Sequence, residues 1–240
     1  MQDKIICLTL FFIAFNFTIF LKTQDNTLNH ISANEYATKI TYNSLYEKLA
    51  DPDLPYNVLL SALCVHQRLL KEGLLVNRNI LTIIDFSKPS SRERLFVIDL
   101  NKERIIFKTL VAHGKNSGEN YATHFSNDPL SHQSSLGFYI TETTYMGRHG
   151  YSLRLDGIEG GINDNARKRA IVMHAADYVS KEFIASNGRL GRSFGCPALP
   201  PDHAHQIIDT IKGKSLLFIY ARDEFYCKNS PLLSSFSSIL

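Results

Sequence analysis

The chain has 240 residues, of which 44% are hydrophobic and 20% are charged, and its formal net charge is +3 at pH 7. This composition is that of a globular protein long enough to bury a core, and it excludes a disordered chain and a multi-span membrane protein. Because the charge is small and no long basic run accompanies it, nucleic acid is not an expected partner.

The N-terminus differs in character from the rest of the chain. Lys4 is followed by an almost unbroken apolar run from Ile5 to Leu21, and Lys22 closes the run. A charge followed by an apolar run is the order found in secretory signals. We therefore expect residues 1–22 to be a signal peptide or an uncleaved anchor, with residues 5–21 as the segment that would attach to a membrane. A buried core helix is the alternative. The expected location is exported, in the periplasm or associated with the cell envelope.

The predicted elements after this run are first helical and then β. Residues 23–75 read as a polar linker followed by a helical segment, with apolar residues at helical spacing and a break at residues 51–55. From residue 80 onward the chain has short runs rich in β-branched, leucine and aromatic residues, bounded by turn residues. These runs are ILTIIDF, RLFVIDL, RIIFKTLVA, LGFYIT, YSLRL, AIVMHA and SLLFIYA.

Few helices are predicted within the β-rich part. They fall at residues 163–169, at residues 178–186 and after Pro201, where Asp202 is the expected cap. The prediction is a domain that is mainly β with a few helices (α+β), covering residues 76–222 and preceded by a small helical segment. Residues 223–240 are rich in serine, and we expect this tail to be poorly ordered or loosely packed.

The cysteines set a further constraint. Cys7 lies in the N-terminal apolar run, which leaves Cys64, Cys196 and Cys227. Three thiols in an exported chain leave at least one unpaired. Spacing alone allows either a disulfide between Cys64 and Cys227 or a buried free thiol at Cys64. Cys196 is the thiol left over.

The surroundings of Cys196 suit a reactive thiol. Cys196 lies in the stretch RLGRSFGCPALP, where Arg189 and Arg192 would favour the thiolate that acts as nucleophile. The N–H groups of Gly195 and Cys196 are candidates for an oxyanion hole. Pro197 disfavours a helical conformation at Cys196, so the thiol should project from a turn or a strand end. A structural cysteine in a tight turn is the competing interpretation.

A nucleophilic cysteine needs a base, and the chain has nine histidines. His174 is the strongest candidate because it lies near the end of an apolar strand, which would hold its ring rigidly, and it precedes Cys196 by 22 residues. Four other histidines lie in polar loops, where they would line a cleft: His113, His124, His132 and His149. The long loop of residues 113–134 is expected to form a wall or lid over Cys196.

The segments around these residues carry a family resemblance. The combination MHA…SFGCPAL resembles the signature of the L,D-transpeptidase catalytic domain (YkuD-like) family. The stretch GRLGRSFGCPA is similar to the divergent branch of that family, the murein L,D-transpeptidase catalytic domain proteins. SSLGFYIT, which contains Tyr139, is similar to a family strand, with Ser135 where proline is usual. The resemblance runs from about Leu95 to Leu199. Two positions depart from the family's common pattern: Phe194 stands where histidine is usual, and Ala198 stands where arginine or asparagine is usual. The way in which the common branch recognises its acyl donor is therefore not carried over to this chain.

The resemblance implies a function and a set of roles. Cys196 would attack the third residue of a peptidoglycan stem peptide, release the terminal D-alanine and pass the acyl group to a neighbouring amine, which gives a 3→3 cross-link. His174 would be the base, and the N–H groups of Gly195 and Cys196 the oxyanion donors. No cofactor or metal is implied. The positions expected to bind substrate or to support the site are Ser193, Arg192, Arg189, His113 and Tyr139.

Three alternatives remain open at the level of sequence. With water as acceptor, the same chemistry would make an L,D-carboxypeptidase of tetrapeptide stems. A catalytically idle wall-binding domain would keep the fold without turnover. A zinc-dependent wall peptidase would draw its ligands from several histidines, in some arrangements with Cys196. Those histidines are His113, His124, His132, His174, His203 and His205.

Overall fold

The computed structural model describes residues 33–235 of the chain. The predicted signal or anchor at residues 1–22 lies outside the described residues, as does most of the predicted linker. Two compact units are distinguished, one up to Leu45 and the other from Tyr46 onward, and the second contains the whole sheet. Within residues 33–235, no helix is long and apolar enough to cross a membrane.

The second unit is built around one mixed sheet of eight strands, as the predicted α+β class requires. The strands are β1 (Ile80–Asp85), β2 (Leu95–Asp99), β3 (Arg104–Thr109), β4 (Gly137–Gly147), β5 (Gly150–Gly157), β6 (Val172–Ala175), β7 (Ala198–Leu199) and β8 (Leu216–Tyr220). Their order in the sheet is β3-β2-β1-β8-β4-β5-β6-β7. β1 pairs parallel with β8, and β6 pairs parallel with β7, whereas the remaining neighbours are antiparallel.

The described part of the chain has six α-helices. They are α1 (Ala33–Leu49), α2 (Tyr56–Lys71), α3 (Lys181–Asn187), α4 (Pro201–Ile211), α5 (Glu224–Asn229) and α6 (Pro231–Ser234). The predicted break at residues 51–55 separates α1 from α2. The apolar residues of α2 that recur at helical spacing are buried, including Val58, Leu59, Ala62 and Leu63. They contribute to the hydrophobic core, which explains why the helical pattern is readable in the sequence.

The helix predicted at residues 163–169 is wrong, because this segment forms consecutive turns. The side chain of Asn163 is buried, and its Oδ1 accepts a hydrogen bond from the N–H of Glu159. Its Nδ2 donates to the carbonyls of Leu136 and Phe138. An asparagine side chain that bonds to backbone groups in this way competes with helical hydrogen bonding and holds the segment in turns.

The two other predicted helices exist with different starting points. α3 begins after Ser180, whose hydroxyl accepts a hydrogen bond from the N–H of Phe183, and it ends at Gly188 in the left-handed conformation. α4 begins at Pro201, so Asp202 lies in its first turn and is not the cap. Proline is well suited to the first position of a helix because its missing N–H would have no intrahelical partner.

The expectation of a loosely packed tail is also wrong over the described residues. Buried side chains of this segment include Tyr226 on α5 and Ser230, which lies between α5 and α6. Both hydroxyls donate to the buried carboxylate of Glu159, which also accepts the N–H of Phe138. A buried carboxylate requires such donors, so these hydrogen bonds tie the serine-rich tail to the sheet.

All three cysteines of the described residues are free. Cys64 is buried on α2, whereas Cys227 is exposed on α5. The disulfide considered for these two residues is therefore absent, and the alternative of a buried free thiol at Cys64 is the one observed. Burial raises the pKa of the Cys64 thiol to about 11, which makes it inert.

Candidate active site

Cys196 and His174 lie on neighbouring segments at one edge of the sheet. In the parallel pairing of β6 with β7, His174 stands opposite Ala198, two residues after the cysteine. The Cys196 Sγ accepts a hydrogen bond from the N–H of Val172 on β6 at 3.4 Å. The strand pairing therefore places the segment that carries Cys196 alongside the strand that carries His174.

The ring of His174 is held in one tautomer by the neighbouring backbone. Its Nδ1 lies 2.8 Å from the carbonyl oxygen of Ala175. A carbonyl can only accept, so Nδ1 carries the proton and the neutral ring leaves Nε2 free to act as a base. His174 is 2% exposed. Burial lowers the pKa of His174, and His149 lowers it further, whereas the Ala175 carbonyl opposes the change.

The thiol of Cys196 rests in its protonated form. It is half-buried, and it donates a hydrogen bond to the carbonyl of Ala170 at 3.7 Å. Burial raises the pKa of this thiol, while the N–H of Val172 and the charge of Arg169 act in the opposite direction. Among the hydrogen bonds of the described residues none joins the thiol to His174, and burial disfavours the charged form of both groups.

The turn that presents the thiol is fixed by Ser193. Its hydroxyl donates to the carbonyl of Cys196 at 2.6 Å and accepts the N–H of Gly195 at 3.0 Å. These hydrogen bonds lie within the turn itself. They also change the predicted oxyanion hole, because the N–H of Gly195 is already occupied by the serine. The N–H of Cys196 has no hydrogen-bond acceptor among residues 33–235, so it is the donor that remains open for an oxyanion.

Gly195 is required by its backbone and by its neighbours. Its φ is +122°, a conformation that side chains disfavour. A Cβ added to it would lie 2.8 Å from the Gln133 carbonyl oxygen and 3.3 Å from an Arg169 guanidinium nitrogen. The absence of a side chain at Gly195 therefore allows the Cys196 turn to pack closely against Gln133 and Arg169.

The loop of residues 113–134 lies against this turn, as predicted for a wall of the site. The N–H of Lys115 donates to the Ser193 carbonyl at 2.7 Å, and the Ser134 hydroxyl donates to the Gly195 carbonyl at 3.1 Å. The rings of His132 and Phe194 stack with centroids 4.3 Å apart, and Phe194 is 67% exposed. An open aromatic surface thus stands two residues before the nucleophile.

Arg189 and Arg192 do not face the thiol as the sequence suggested. Arg189 forms an ion pair with Glu119 at 2.8 Å, and Arg192 forms one with the same carboxylate at 2.7 Å. Arg192 also donates to the carbonyls of Lys115 and Gly118. Both side chains fasten the loop of residues 113–134 to the turn, and the positive charge that acts on Cys196 comes from Arg169 instead.

His113 and Tyr139 are buried supports. His113 lies between the guanidinium of Arg94 and the carbonyl of Gly118, and burial together with Arg94 lowers its pKa to about 3. The Tyr139 hydroxyl donates to the carbonyl of Ser135 at 3.0 Å, and burial raises the pKa of this phenol. Neither side chain is exposed, so their contacts are with the segments around the loop.

The loop histidines divide into two groups. His149 stacks on His174, and His132 stacks on Phe194, so each ring contacts a residue of the candidate site or of its turn. His124 is exposed beside Thr123. Among residues 33–235, no three His, Cys, Asp or Glu side chains converge as a metal site would require. The histidines proposed for a zinc peptidase therefore do not form a cluster there.

Sequence reasoning missed Arg169. It lies in the turns before β6, and the interpretation of residues 163–169 as a helix assigned it no role. Nothing in its immediate sequence marks it, because its partners lie 34 to 43 residues away on a loop. The only available signal was an arginine shortly before the strand that carries the candidate base.

The model of the L,D-transpeptidase catalytic domain family matches residues 50–220. The chain therefore belongs to this family, whose members are enzymes. The match includes Cys196, His174 and all eight strands. No curated protein matches the chain in sequence.

Solved structures similar to this chain include several L,D-transpeptidases. One from Mycobacterium smegmatis is 14% identical, with a TM-score of 0.37, over 60% of this chain and 59% of that one. One from Stackebrandtia nassauensis is 16% identical, with a TM-score of 0.35, over 66% and 65%. L,D-transpeptidase 3 from Mycobacterium tuberculosis is 10% identical, with a TM-score of 0.38, over 59% and 61%. The matched region spans less than two thirds of each of these chains.

Proposed function

We propose that this protein is a murein L,D-transpeptidase that uses Cys196 as its nucleophile and forms 3→3 cross-links between peptidoglycan stem peptides. The observation that carries the proposal is the placement of Cys196 beside β6, where His174 has Nδ1 bonded to the Ala175 carbonyl. A base with a free Nε2 on a strand adjacent to a thiol is the arrangement that nucleophilic cysteine catalysis requires. Membership of the family supports the substrate class.

The resting protonation states define the first step. The thiol and the imidazole are both neutral, so the proton moves from Sγ to Nε2 of His174 as sulfur attacks, once the thiol leaves the Ala170 carbonyl. General-base assistance of this kind contributes about 10²–10⁴-fold to a rate. The attacked carbonyl belongs to the third residue of the donor stem. Its oxygen becomes an oxyanion, for which the N–H of Cys196 is the open donor.

The following steps return the proton and exchange the acyl group. Collapse of the tetrahedral intermediate breaks the C–N bond to D-alanine, whose nitrogen takes the proton from His174, and a thioester to Cys196 remains. The side-chain amine of a second stem then attacks the thioester and gives a proton to His174. Breakage of the C–S bond and return of that proton restore the thiol. Water in place of the amine would give the L,D-carboxypeptidase reaction.

The test is mass spectrometry of purified disaccharide-tetrapeptide stems incubated with the purified protein. The expected products are free D-alanine and cross-linked dimers, both lost in Cys196→Ser. Cys227→Ser is the matched control, because that thiol is free and exposed on α5. D-alanine loss without dimers would replace the transpeptidase by the carboxypeptidase. Turnover by Cys196→Ser would remove the thiol mechanism altogether.

A second probe reports on the thiol without a peptide substrate. A carbapenem acylates a nucleophilic thiol of this kind, so the wild-type protein should gain one adduct on the peptide that contains Cys196. His174→Ala should slow acylation strongly, since the proton of the neutral thiol then has no base. An adduct on Cys227 or Cys64 in place of Cys196 would contradict the assignment. No adduct at all, with no turnover, would favour an idle wall-binding domain.

We also propose that the protein is exported, because peptidoglycan stems lie outside the cytoplasm and residues 1–22 have the order of a secretory signal. Cell fractionation of the full chain should place it in the envelope fraction. Deletion of residues 2–22 should retain it in the cytoplasm. Equal distribution of the two forms would contradict export through this segment.

A further inference from the structure

Arg169 clamps the loop that walls the site. Its Nη1 donates to the Ser126 carbonyl at 2.6 Å and to the Ser135 hydroxyl at 3.0 Å. Its Nη2 donates to the Gln133 carbonyl at 2.6 Å and to the Ser131 hydroxyl at 3.1 Å. One guanidinium therefore holds both ends of the segment from residue 126 to residue 135 by four hydrogen bonds. The planar fork of arginine permits this, whereas the single ammonium of lysine would not.

The same guanidinium lies next to the nucleophile. A Cβ on Gly195 would be 3.3 Å from Arg169 Nη2, so the charge lies against the residue that precedes Cys196. The next residue, Ala170, accepts the hydrogen bond of the Cys196 thiol. Arg169 therefore contacts the turn that carries the thiol, and it directly precedes the residue whose carbonyl accepts the hydrogen bond of that thiol.

The charge of Arg169 is not neutralised by direct hydrogen bonds. All four of its hydrogen bonds go to neutral oxygens, and burial lowers its pKa. Asp128 and Cys196 are the acidic groups near it, besides the phenol of Tyr139. Arg189 and Arg192 differ, since both are paired with Glu119. Keeping a partly buried cation without a bonded carboxylate is costly, which suggests that the charge has a use.

We propose that Arg169 is a positioning residue of the active site: it fixes residues 126–135 against the Cys196 turn and provides the positive charge that favours the thiolate. The proposal builds on the proposed function in taking Cys196 as the nucleophile. It adds a residue that stabilises sulfur as its proton leaves, because the charge of Arg169 opposes the effect of burial on the thiol.

Several other ionisable groups lie on the elements packed around the thiol. His174 stands on β6, Tyr178 follows that strand, and the loop contributes Asp128 and His132. His174 and His132 are uncharged when deprotonated, and Tyr178 has its pKa raised to about 12 by burial. Arg169 is therefore the cation near these groups whose charge acts on the Cys196 thiol.

The test measures alkylation of Cys196 by iodoacetamide as a function of pH, with the modified peptide resolved by mass spectrometry. Iodoacetamide is small and neutral, so it reports on the thiolate without a peptide site. We expect Arg169→Gln to shift the pH profile upward and to lower the rate near neutral pH several-fold. Arg169→Lys, which keeps the charge, should stay close to the wild-type profile. Arg167→Gln is the matched control. Arg167 lies two residues before Arg169 in the same turns, and its charge is paired with the carboxylate of Asp156.

A second readout covers loss of folding. Hydrogen exchange should accelerate at residues 126–135 in Arg169→Lys, because lysine cannot make the four contacts. If Arg169→Gln does not fold, the exchange experiment on Arg169→Lys tests the proposal in its place. Exchange at the wild-type rate in folded Arg169→Lys would overturn the proposal. If Arg169→Gln folds with a wild-type alkylation profile, the proposal is overturned as well. A shifted profile in a protein without transpeptidase activity would refute the proposed function while supporting the role of Arg169.

Discussion

The imidazole of His149 lies face to face with that of His174, with ring centroids 4.3 Å apart and planes inclined by 20°. His149 is exposed in the turn between β4 and β5, whereas His174 is buried on β6. A charge on His149 disfavours a second charge beside it, so His149 lowers the pKa of His174. The hairpin turn therefore helps to keep the candidate base in the neutral form that accepts a proton.

Replacing His149 by alanine should shift the pH dependence of catalysis. Loss of the ring removes a neighbouring charge and admits water to His174, and both changes raise the pKa of His174. Because the base must be neutral, its protonation defines the acid limb of kcat/KM, and that limb should move to higher pH. The measurement is the pH profile of D-alanine release or of carbapenem acylation.

Two variants separate the causes of that shift. His149→Phe keeps an aromatic cover without a charge, and it should move the acid limb less than His149→Ala does. His124→Ala removes an exposed loop histidine that does not contact His174, and it should leave the profile unchanged. An acid limb at the wild-type position in His149→Ala would show that the stack does not influence the base.

Gly195→Ala should impair the site through contacts as well as through backbone strain. The methyl group would meet the Gln133 carbonyl at 2.8 Å, and a residue with a side chain at φ +122° costs about 1–3 kcal/mol. Gly213→Ala is the control, since its φ is +79° and its Cβ would meet nothing within 4 Å. We expect carbapenem acylation to fall sharply in Gly195→Ala only. Equal acylation of the two variants would argue against a tight fit of the loop and the turn.

The thiol should be indifferent to the arginines that precede it in sequence. Arg189→Gln and Arg192→Gln each leave Arg169 in place, so the pH profile of Cys196 alkylation should not shift. Loss of either ion pair with Glu119 should have only a small effect on unfolding, because the carboxylate is exposed to solvent. An upward shift like that expected of Arg169→Gln would restore the interpretation drawn from the sequence.

The tail should contribute measurably to stability. Tyr226→Phe removes a hydrogen bond to the buried carboxylate of Glu159, and we expect the free energy of unfolding in urea to fall by about 1–3 kcal/mol. Phe225→Ala changes an exposed neighbour on α5 and should have a smaller effect. Equal stability of Tyr226→Phe and the wild-type protein would indicate that the tail is only loosely attached.

The parts of the fold that local pattern determines were predictable. The apolar runs that became β1, β2 and β8 are buried along their lengths, and α2 carries its buried face at helical spacing. The segment of residues 163–169 was misjudged because Asn163 bonds to backbone groups of residues 136, 138 and 159, distant contacts that no local pattern reveals. The tail was misjudged for the same reason, since its partner is Glu159.

The residues of the candidate site also divide into those that the sequence indicated and those that only the folded chain reveals. Cys196 and His174 were proposed from their immediate surroundings, and the strand pairing places the segment of the first beside the strand of the second. Arg189 and Arg192 were expected near sulfur because they are near it in sequence, whereas both pair with Glu119 on the loop. Arg169 and the stack of His149 on His174 depend on side-chain contacts between separate segments, which only the folded chain brings together.

β8 joins two groups of strands in the described part of the chain, where a single bridge from Ala112, after β3, to Ala198 on β7 also links them. β1 to β3 lie on one side of β8, and β4 to β7 lie on the other. The pairing of β1 with β8 joins residues that are far apart in the sequence, such as Leu81 and Leu216. The last strand to be synthesised is therefore the one that completes the sheet, and pairings between such distant residues form slowly. Until residues 216–220 are in place, β1 and β4 each present an open edge, which is a site for association between chains. A chain that ends before β8 should therefore accumulate as aggregates and not as a smaller folded domain.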